Sequence, residues 1–129
     1  MSEAITQALR SLRDLEGIVG SFVLRKDGTL CGRDLPDFFD TQTLAEVAPR
    51  IERLYEAWRG MGSDETALDT ATLVFAEHKL HLREMDSAYV AVLSGLQVNA
   101  HALKMALNMV CRRITGLIDV PPASTPAAT

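Results

Sequence analysis

Residues Gly17 to Asp34 read GIVGSFVLRKDGTLCGRD, and this stretch decides the fold. From Ile18 onward the residues are β-branched and aromatic with apolar side chains on both alternating sets, which is typical of a strand covered on both faces. Asp27 and Gly28 separate this run from TLCGRDL, and Asp-Gly in that position favours a tight turn because glycine accepts a positive φ. The stretch therefore predicts a β-hairpin.

The glycines of this stretch do not have the order of a phosphate cradle. A Rossmann fingerprint or a P-loop needs its glycines after a strand and at the start of a helix. Here Gly17 is expected to end a helix, Gly20 to leave room beside a strand and Gly28 to turn the hairpin. Gly32 indicates either a bulge or a close approach in the second strand.

The two flanking helices follow from a 3.6-residue apolar period. Residues 3–16 are predicted to form an amphipathic helix. Gly17 follows the last apolar position of this helix, where a glycine commonly ends a helix. Asn99 is a plausible N-cap for the last helix, and Arg112 and Arg113 lie near the end of that helix, where cations suit its dipole. The apolar positions of the two helices are Ile5, Leu9, Leu12 and Leu15, and then Leu103, Ala106, Leu107, Val110, Ile114 and Leu117.

A middle helix carries one apolar stripe and one charged face. Thr43 and Glu46 have the spacing of a capping box ahead of it. Pro49 inside a helix costs about 3 kcal/mol, so we expect either a kink there or a helix that begins near Ala48. The apolar stripe comprises Leu44, Val47, Ile51, Leu54, Tyr55 and Trp58.

Three strand-like runs follow closely on one another: DTATLVFAE, HKLHLREMD and SAYVAVLS. Only short turns can separate them, so an antiparallel meander is expected. The element order is αββαβββα, which predicts an α/β domain of the α+β type. It has a single, mostly antiparallel five-stranded sheet with helices on both faces. The domain is expected over 1–118, followed by a disordered tail over 119–129.

Composition narrows the class of protein. The chain has 129 residues and a formal net charge of −4, which suits one domain and argues against a nucleic-acid partner. The N-terminus lacks the features of a signal peptide, and no apolar run is long enough to span a membrane. We therefore expect a cytoplasmic protein with free thiols at Cys31 and Cys111, because their spacing fits neither a zinc site nor a disulfide framework.

Candidate metal ligands are weakly supported. His78 and His81 stand three apart in a strand, so their rings point to opposite faces and do not readily share one ion. We expect them to be turn or surface histidines, and we judge His101 in the same way. Asp34, Asp37 and Asp40 lack the ligand order of a calcium loop, so an acidic, solvated loop is expected and no cofactor or metal is assigned.

The run Leu9 to Leu30 resembles the opening of a roadblock domain, the family named for a dynein light chain. That opening is an amphipathic helix ending in leucine and glycine, a strand with small residues, and Asp-Gly in the hairpin. The matching positions here are Leu12, Leu15, Gly17, Gly20, Asp27 and Gly28. The element order fits as well, over about Ile5 to Ile118, whereas Pro49 departs from the family's uninterrupted second helix.

The resemblance implies a non-catalytic, homodimeric module that regulates or scaffolds a Ras-like small GTPase. Because a bacterial relative is a GTPase-activating partner, the implied regulation includes activation of GTP hydrolysis. It implies pairing through the strand Thr70 to Glu77 and through the middle helices. The implied dimer interface comprises Thr70, Thr72, Val74, Ala76, Leu54 and Trp58. The implied partner-binding residues are Arg50, Arg53, Glu56 and Arg59.

Two alternatives from other classes stay open. A sensory or small-ligand-binding domain with a similar build would contain a sizeable buried pocket with converging polar groups. A small enzyme would use Cys31 or Cys111 as a nucleophile and would need a positioned histidine and an orienting acid. The charged face of the middle helix could also be no more than a solvated surface.

Overall fold

The computed structural model describes residues 3–36, 41–60 and 70–118. Three α-helices and five strands make up this part of the chain, and α1 continues into a 3₁₀ helix over Ser11–Asp14. The helices are α1 (Glu3–Arg10), α2 (Thr41–Gly60) and α3 (Ala100–Ile118), and the strands are β1 (Ile18–Arg25), β2 (Leu30–Asp34), β3 (Thr70–Val74), β4 (His78–Glu84) and β5 (Ala88–Gly95). The predicted order αββαβββα is confirmed.

The five strands form one sheet in the order β2-β1-β5-β4-β3. Each neighbouring pair is antiparallel, so the predicted hairpin and the predicted meander are both correct. The pairing of β1 with β5 joins the hairpin β1-β2 to the meander β3-β4-β5. Consequently β2 and β3 are the edge strands among the described residues.

Helices cover both faces of the sheet, as the two-sided apolar strands predict. On one face, Ile51 and Tyr55 of α2 pack against Phe22, Leu82 and Tyr89 of the sheet. On the other face, α1 and α3 pack over the alternate residues of β1 and β5. The buried residues of that second layer include Ile5, Leu9, Leu12, Val23, Val90, Val92, Leu103, Leu107, Val110 and Ile114.

The hairpin turn uses one positive φ. Gly28 has φ 95°, whereas no other described residue of the turn has a positive φ. The Gly28 amide donates to the Arg25 carbonyl and the Arg25 amide to the Thr29 carbonyl, both at 2.8 Å. These contacts describe a three-residue loop that ends in a left-handed glycine, rather than a two-residue turn with two positive φ values.

Gly32 is explained by a close approach of α1 to β2. A Cβ atom placed on Gly32 would lie 2.8 Å from the Cγ2 atom of Ile5, a distance at which atoms overlap. Ile5 is 1% exposed, so it has little room to move. The glycine therefore allows α1 to rest directly on the second strand.

The helix boundaries differ from those predicted. The first helix is α-helical only to Arg10 and then tightens into the 3₁₀ helix. The middle helix begins at Thr41 and runs through Pro49, so the start near Ala48 is wrong and Thr43 is not an N-cap. Pro49 is exposed, so water can satisfy the carbonyl group that loses its donor.

In α3 the predicted cap is confirmed, because the Asn99 side-chain oxygen accepts a hydrogen bond from the Ala102 amide at 3.0 Å. The predicted burial of Leu117 is wrong: it is 39% exposed, and Ile118 is buried instead. Within the described ranges, no helix has the length and apolar character needed to cross a membrane. The predicted tail over 119–129 lies outside the described residues and stays a prediction.

Candidate interaction site

The α2 helix is anchored to the sheet by its inner side chains. Tyr55 is 1% exposed, and its ring centroid lies 5.0 Å from that of Tyr89 on β5. The Tyr89 hydroxyl also donates a hydrogen bond to the Glu52 carboxylate. A charge-assisted hydrogen bond of this kind fixes the rotation of the helix about its axis.

Lys26, in the hairpin turn, reinforces this anchor from the sheet side. Its Nζ atom lies 2.8 Å from the Glu84 carboxylate and 5.5 Å from the centroid of the Tyr89 ring. The cation therefore meets both a carboxylate and an aromatic face. Lys26 thus helps to hold the Tyr89 ring in the position from which its hydroxyl donates to Glu52.

Other charged residues of α2 lie on its solvent-exposed side. Arg50, Arg53 and Glu56 are all exposed. Leu54 is partly buried against the sheet core, while the side chains of Trp58 and Arg59 lie outside the described residues. The structure thus places three of the four proposed partner-binding residues on one accessible helix surface.

The β3 strand is short and largely uncovered. Of its residues only Ala71 is partly buried, and Val74 is 67% exposed. The expected strand over Thr70 to Glu77 is too long, because Val74 is its last residue and the Phe75 amide turns back to the His78 carbonyl at 2.8 Å. Ala76 therefore lies in an exposed turn rather than in the strand.

One side of β3 is tethered to α3 through a buried arginine. Arg83 on β4 is 8% exposed, and its Nε and Nη2 atoms donate to the Thr70 hydroxyl at 3.3 and 3.2 Å. Its Nη1 atom donates to the Asn108 side chain on α3. A single guanidinium group thus links three elements, a role that needs its several fixed donors.

A second polar chain runs across the same face of the sheet. The Ser94 hydroxyl donates to the Gly95 carbonyl at 3.0 Å and lies 2.8 Å from Nε2 of His81. The Nδ1 atom of the same ring lies 3.3 Å from the Thr72 hydroxyl. In the neutral imidazole, the arrangement that fits the Ser94 donation has the proton on Nε2 and Nδ1 as the acceptor. His81 therefore connects the edge strand to β5.

The expectation of a surface or turn position for His81 is wrong. His81 is 6% exposed and lies inside β4, and burial followed by the charge of Lys79 lowers its pKa. Sequence reasoning missed this role because Thr72 and Ser94 are separated from His81 along the chain and only the strand register brings them together.

The residues considered for metal binding are not gathered into a site. The β4 strand places His78 and His81 on opposite faces. Asp34 is paired with Arg13 at 3.3 Å, while Asp37 and Asp40 lie outside the described residues. In the ranges that the structure describes, no three His, Cys, Asp or Glu residues are grouped as metal ligands.

The two cysteines are free and buried. Burial raises the pKa of the Cys31 thiol, which reduces the thiolate fraction that a nucleophile needs. Beside the turn that precedes β1, a cleft of about 540 Å³ opens at the start of α3 between Leu15, Gly17, Leu96 and Val98. It is open to solvent.

No family model matches this chain, and a search of curated proteins also finds no match. Solved structures do match. A Roadblock/LC7 domain from Streptomyces avermitilis has a TM-score of 0.77 and 16% identity, covering 89% of this chain and 98% of its own. MglB from Myxococcus xanthus has a TM-score of 0.78 and 14% identity, covering 91% and 96%.

A third structure, the gliding protein MglB from Thermus thermophilus, has a TM-score of 0.68 and 9% identity, covering 87% of this chain and 86% of its own. At these identities the comparison establishes the shared fold. The expected resemblance is confirmed at that level: this chain has the fold of roadblock domains.

Proposed function

We propose that this chain is a homodimeric regulatory module that binds a Ras-like small GTPase across α2 and influences the nucleotide only through that partner. The observation that carries the proposal is the bare edge of β3 in a roadblock fold. Four of the five residues of that strand are exposed, and Leu73, Val74 and Phe75 form an exposed apolar run at its end. An uncovered apolar edge favours pairing with another strand.

A second copy of the chain is the simplest partner for that edge. Antiparallel pairing of β3 with its own copy is isologous, which is the commonest symmetry of small oligomers. The two-fold axis would stand perpendicular to the sheet, so both sheets would join and each face would remain on its own side. Pairing would also cover the apolar run.

This symmetry would place both α2 helices on the same face of the joined sheet. Each helix is locked against its own sheet by the Tyr55 and Tyr89 rings and by Glu52. Arg50, Arg53 and Glu56 of the two copies would then contribute to one extended, charged surface. A surface built from two rigid helices suits a folded protein partner.

The GTPase assignment comes from the resemblance to roadblock domains, and the arginine-bearing α2 surface supports it. These arginines are proposed as binding residues. Neither Arg50 nor Arg53 is assigned to the transition state, because an arginine finger must reach the transferred phosphoryl group. Any acceleration of hydrolysis would follow from positioning the GTPase's own residues.

Dimerisation is tested by light scattering at micromolar concentration. The wild-type chain is expected to be a dimer, and Val74→Lys is expected to be a monomer because a charged lysine on an edge strand opposes pairing. Thr29→Lys, an exposed change in the β1-β2 turn, serves as the control and should remain dimeric. A monomeric wild-type protein would contradict the pairing.

GTPase binding is tested by calorimetry with small GTPases from the same genome, each loaded with GDP or a non-hydrolysable GTP analogue. Arg53→Glu should weaken binding by about tenfold or more, because charge reversal at a contact costs at least 1.4 kcal/mol. Arg10→Glu, an exposed reversal on α1, should bind as the wild type does. Equal binding by Arg53→Glu would refute the α2 site.

A further inference from the structure

The outward face of α3 combines exposed methionines with unopposed positive charge. Met105 is 56% exposed and Met109 is 65% exposed, and they are four residues apart, so they adjoin on one helix face. His101, Arg112 and Arg113 lie three or four residues from these methionines and are also exposed. We call these five residues the α3 patch.

The α3 helix is positively charged, whereas the chain as a whole is negatively charged. The helix sequence AHALKMALNMVCRRITGLI contains three lysines and arginines and no acidic residue, whereas the whole chain has a net charge of −4. A helix face that serves only solubility usually mixes both signs. The α3 patch has no acid to balance it within its own helix.

The helix dipole does not account for the two arginines. Favourable interaction with the dipole is confined to the last turn, and the last turn of α3 contains no basic residue. Arg112 and Arg113 precede that turn. Core packing does not account for Met105 and Met109 either, because the buried positions of α3 lie on another side.

The residue types are those of a protein-binding surface. Methionine and arginine are enriched in interfaces, while lysine and acidic residues are depleted. Methionine also adapts its shape to varied apolar partners. The positive charge of Arg112 and Arg113 beside an apolar centre favours a segment that carries apolar residues next to acids.

We propose that the α3 patch is a docking site for an acidic amphipathic segment of another protein. From His101 to Arg113 the face extends about 18 Å, which accommodates a partner helix of about three turns. A contact of this size falls in the weak, transient class. A membrane surface is the less favoured occupant, because the apolar centre is only two side chains wide and each cation contributes about 1 kcal/mol.

The patch lies on the face of the sheet opposite α2. The docking site therefore does not rest on the proposed GTPase surface, and both surfaces can be occupied together. Such an arrangement would let the domain bridge two partners.

The test selects displayed random peptides of about 15 residues on the wild-type protein, with counter-selection on Met109→Ser/Arg112→Glu. Both substituted side chains are exposed, so the variant should fold, and an unchanged melting curve verifies this. The recovered peptides should carry net negative charge with apolar residues three or four apart. A synthetic copy should bind the wild-type protein at least about tenfold more tightly than the variant.

Added salt should weaken this binding, because the Debye length falls from about 10 Å at 0.1 M to about 3 Å at 1 M. Arg53→Glu makes the same change of charge at an exposed position on α2 and should leave peptide binding unchanged. Three outcomes would overturn the proposal. They are failure to enrich any peptide, co-sedimentation with phosphatidylserine vesicles that the patch variant loses, and a change of oligomeric state in the patch variant.

Discussion

The Nε2 atom of His81 lies 2.8 Å from the Oγ atom of Ser94, and both side chains are buried. This contact joins the central strand β5 to β4, and the Thr72 hydroxyl extends it to the edge strand β3. Burial of this chain disfavours the charged imidazole and so lowers the pKa of His81. The edge that we propose as the dimer interface is thus fastened to the core through a titratable group.

Stability should therefore fall in mild acid. Burial lowers the pKa of His81 in the folded protein, and Lys79 adds to this effect. In the unfolded chain the pKa is about 6.5, so the unfolded state binds more protons below that pH. The contribution of His81 is fully present above about pH 6.5 and is lost as the pH falls toward the lowered value.

Urea denaturation at a series of pH values between 8 and 5 measures this effect. His81→Gln should be less stable at neutral pH but should show a smaller loss on acidification. His101→Gln, on the exposed start of α3, should retain the wild-type dependence. If His81→Gln kept the full slope, another group would be responsible.

The Arg83 tether should control the local stability of β3. Arg83→Met keeps much of the apolar stem but removes the hydrogen bonds to Thr70 and Asn108. We expect a loss of about 1–3 kcal/mol in the free energy of unfolding. Hydrogen exchange should accelerate in β3 more than in β1 or β5.

Lys79→Met provides the comparison for Arg83→Met, since Lys79 stands on the same strand and is only partly buried. It should cost less than about 0.5 kcal/mol. Equal protection of β3 in both variants would show that Arg83 does not tether the strand.

Two glycines should respond in opposite directions to alanine. At Gly32 the added Cβ would meet Ile5 at 2.8 Å, so Gly32→Ala should destabilise by about 1–3 kcal/mol. At Gly116, inside α3, nothing lies within 4 Å of the added Cβ, so Gly116→Ala should stabilise by about 0.5–1 kcal/mol. Thermal denaturation of both variants measures the contrast.

Adding Ile5→Ala to Gly32→Ala tests the cause of that destabilisation. Ile5→Ala alone should be destabilising because it leaves a cavity, but the double variant should lose less than the sum of the two single changes. Strict additivity would mean that the clash with Ile5 is not the reason for the glycine.

Loss of the Tyr89 hydroxyl should loosen α2. Tyr89→Phe retains the ring contacts with Tyr55 but removes the hydrogen bond to Glu52. We expect a cost of about 1–3 kcal/mol, because the acceptor is charged. Faster hydrogen exchange in α2 is the specific readout. An unchanged exchange rate would mean that the contact between the Tyr55 and Tyr89 rings, and not the hydrogen bond, anchors α2.

The hairpin and the covered strands could be predicted from local pattern. Asp27-Gly28 turns the chain because only glycine adopts a positive φ at little cost, and β1 and β5 are apolar on both sides because helices cover both faces. The α2 start could not be predicted in this way. Pro49 usually marks a helix boundary, but its exposed position lets the helix continue.

The sequence by itself determined the order of the elements and which faces are apolar, because both depend on periods of two and 3.6 residues along one segment. Only the tertiary structure decided that His81 is buried in a polar chain, that Gly32 admits Ile5, and that Arg83 joins β3 to α3. These contacts join residues far apart in the chain. Their energies depend on strand register and helix docking, which no local pattern specifies.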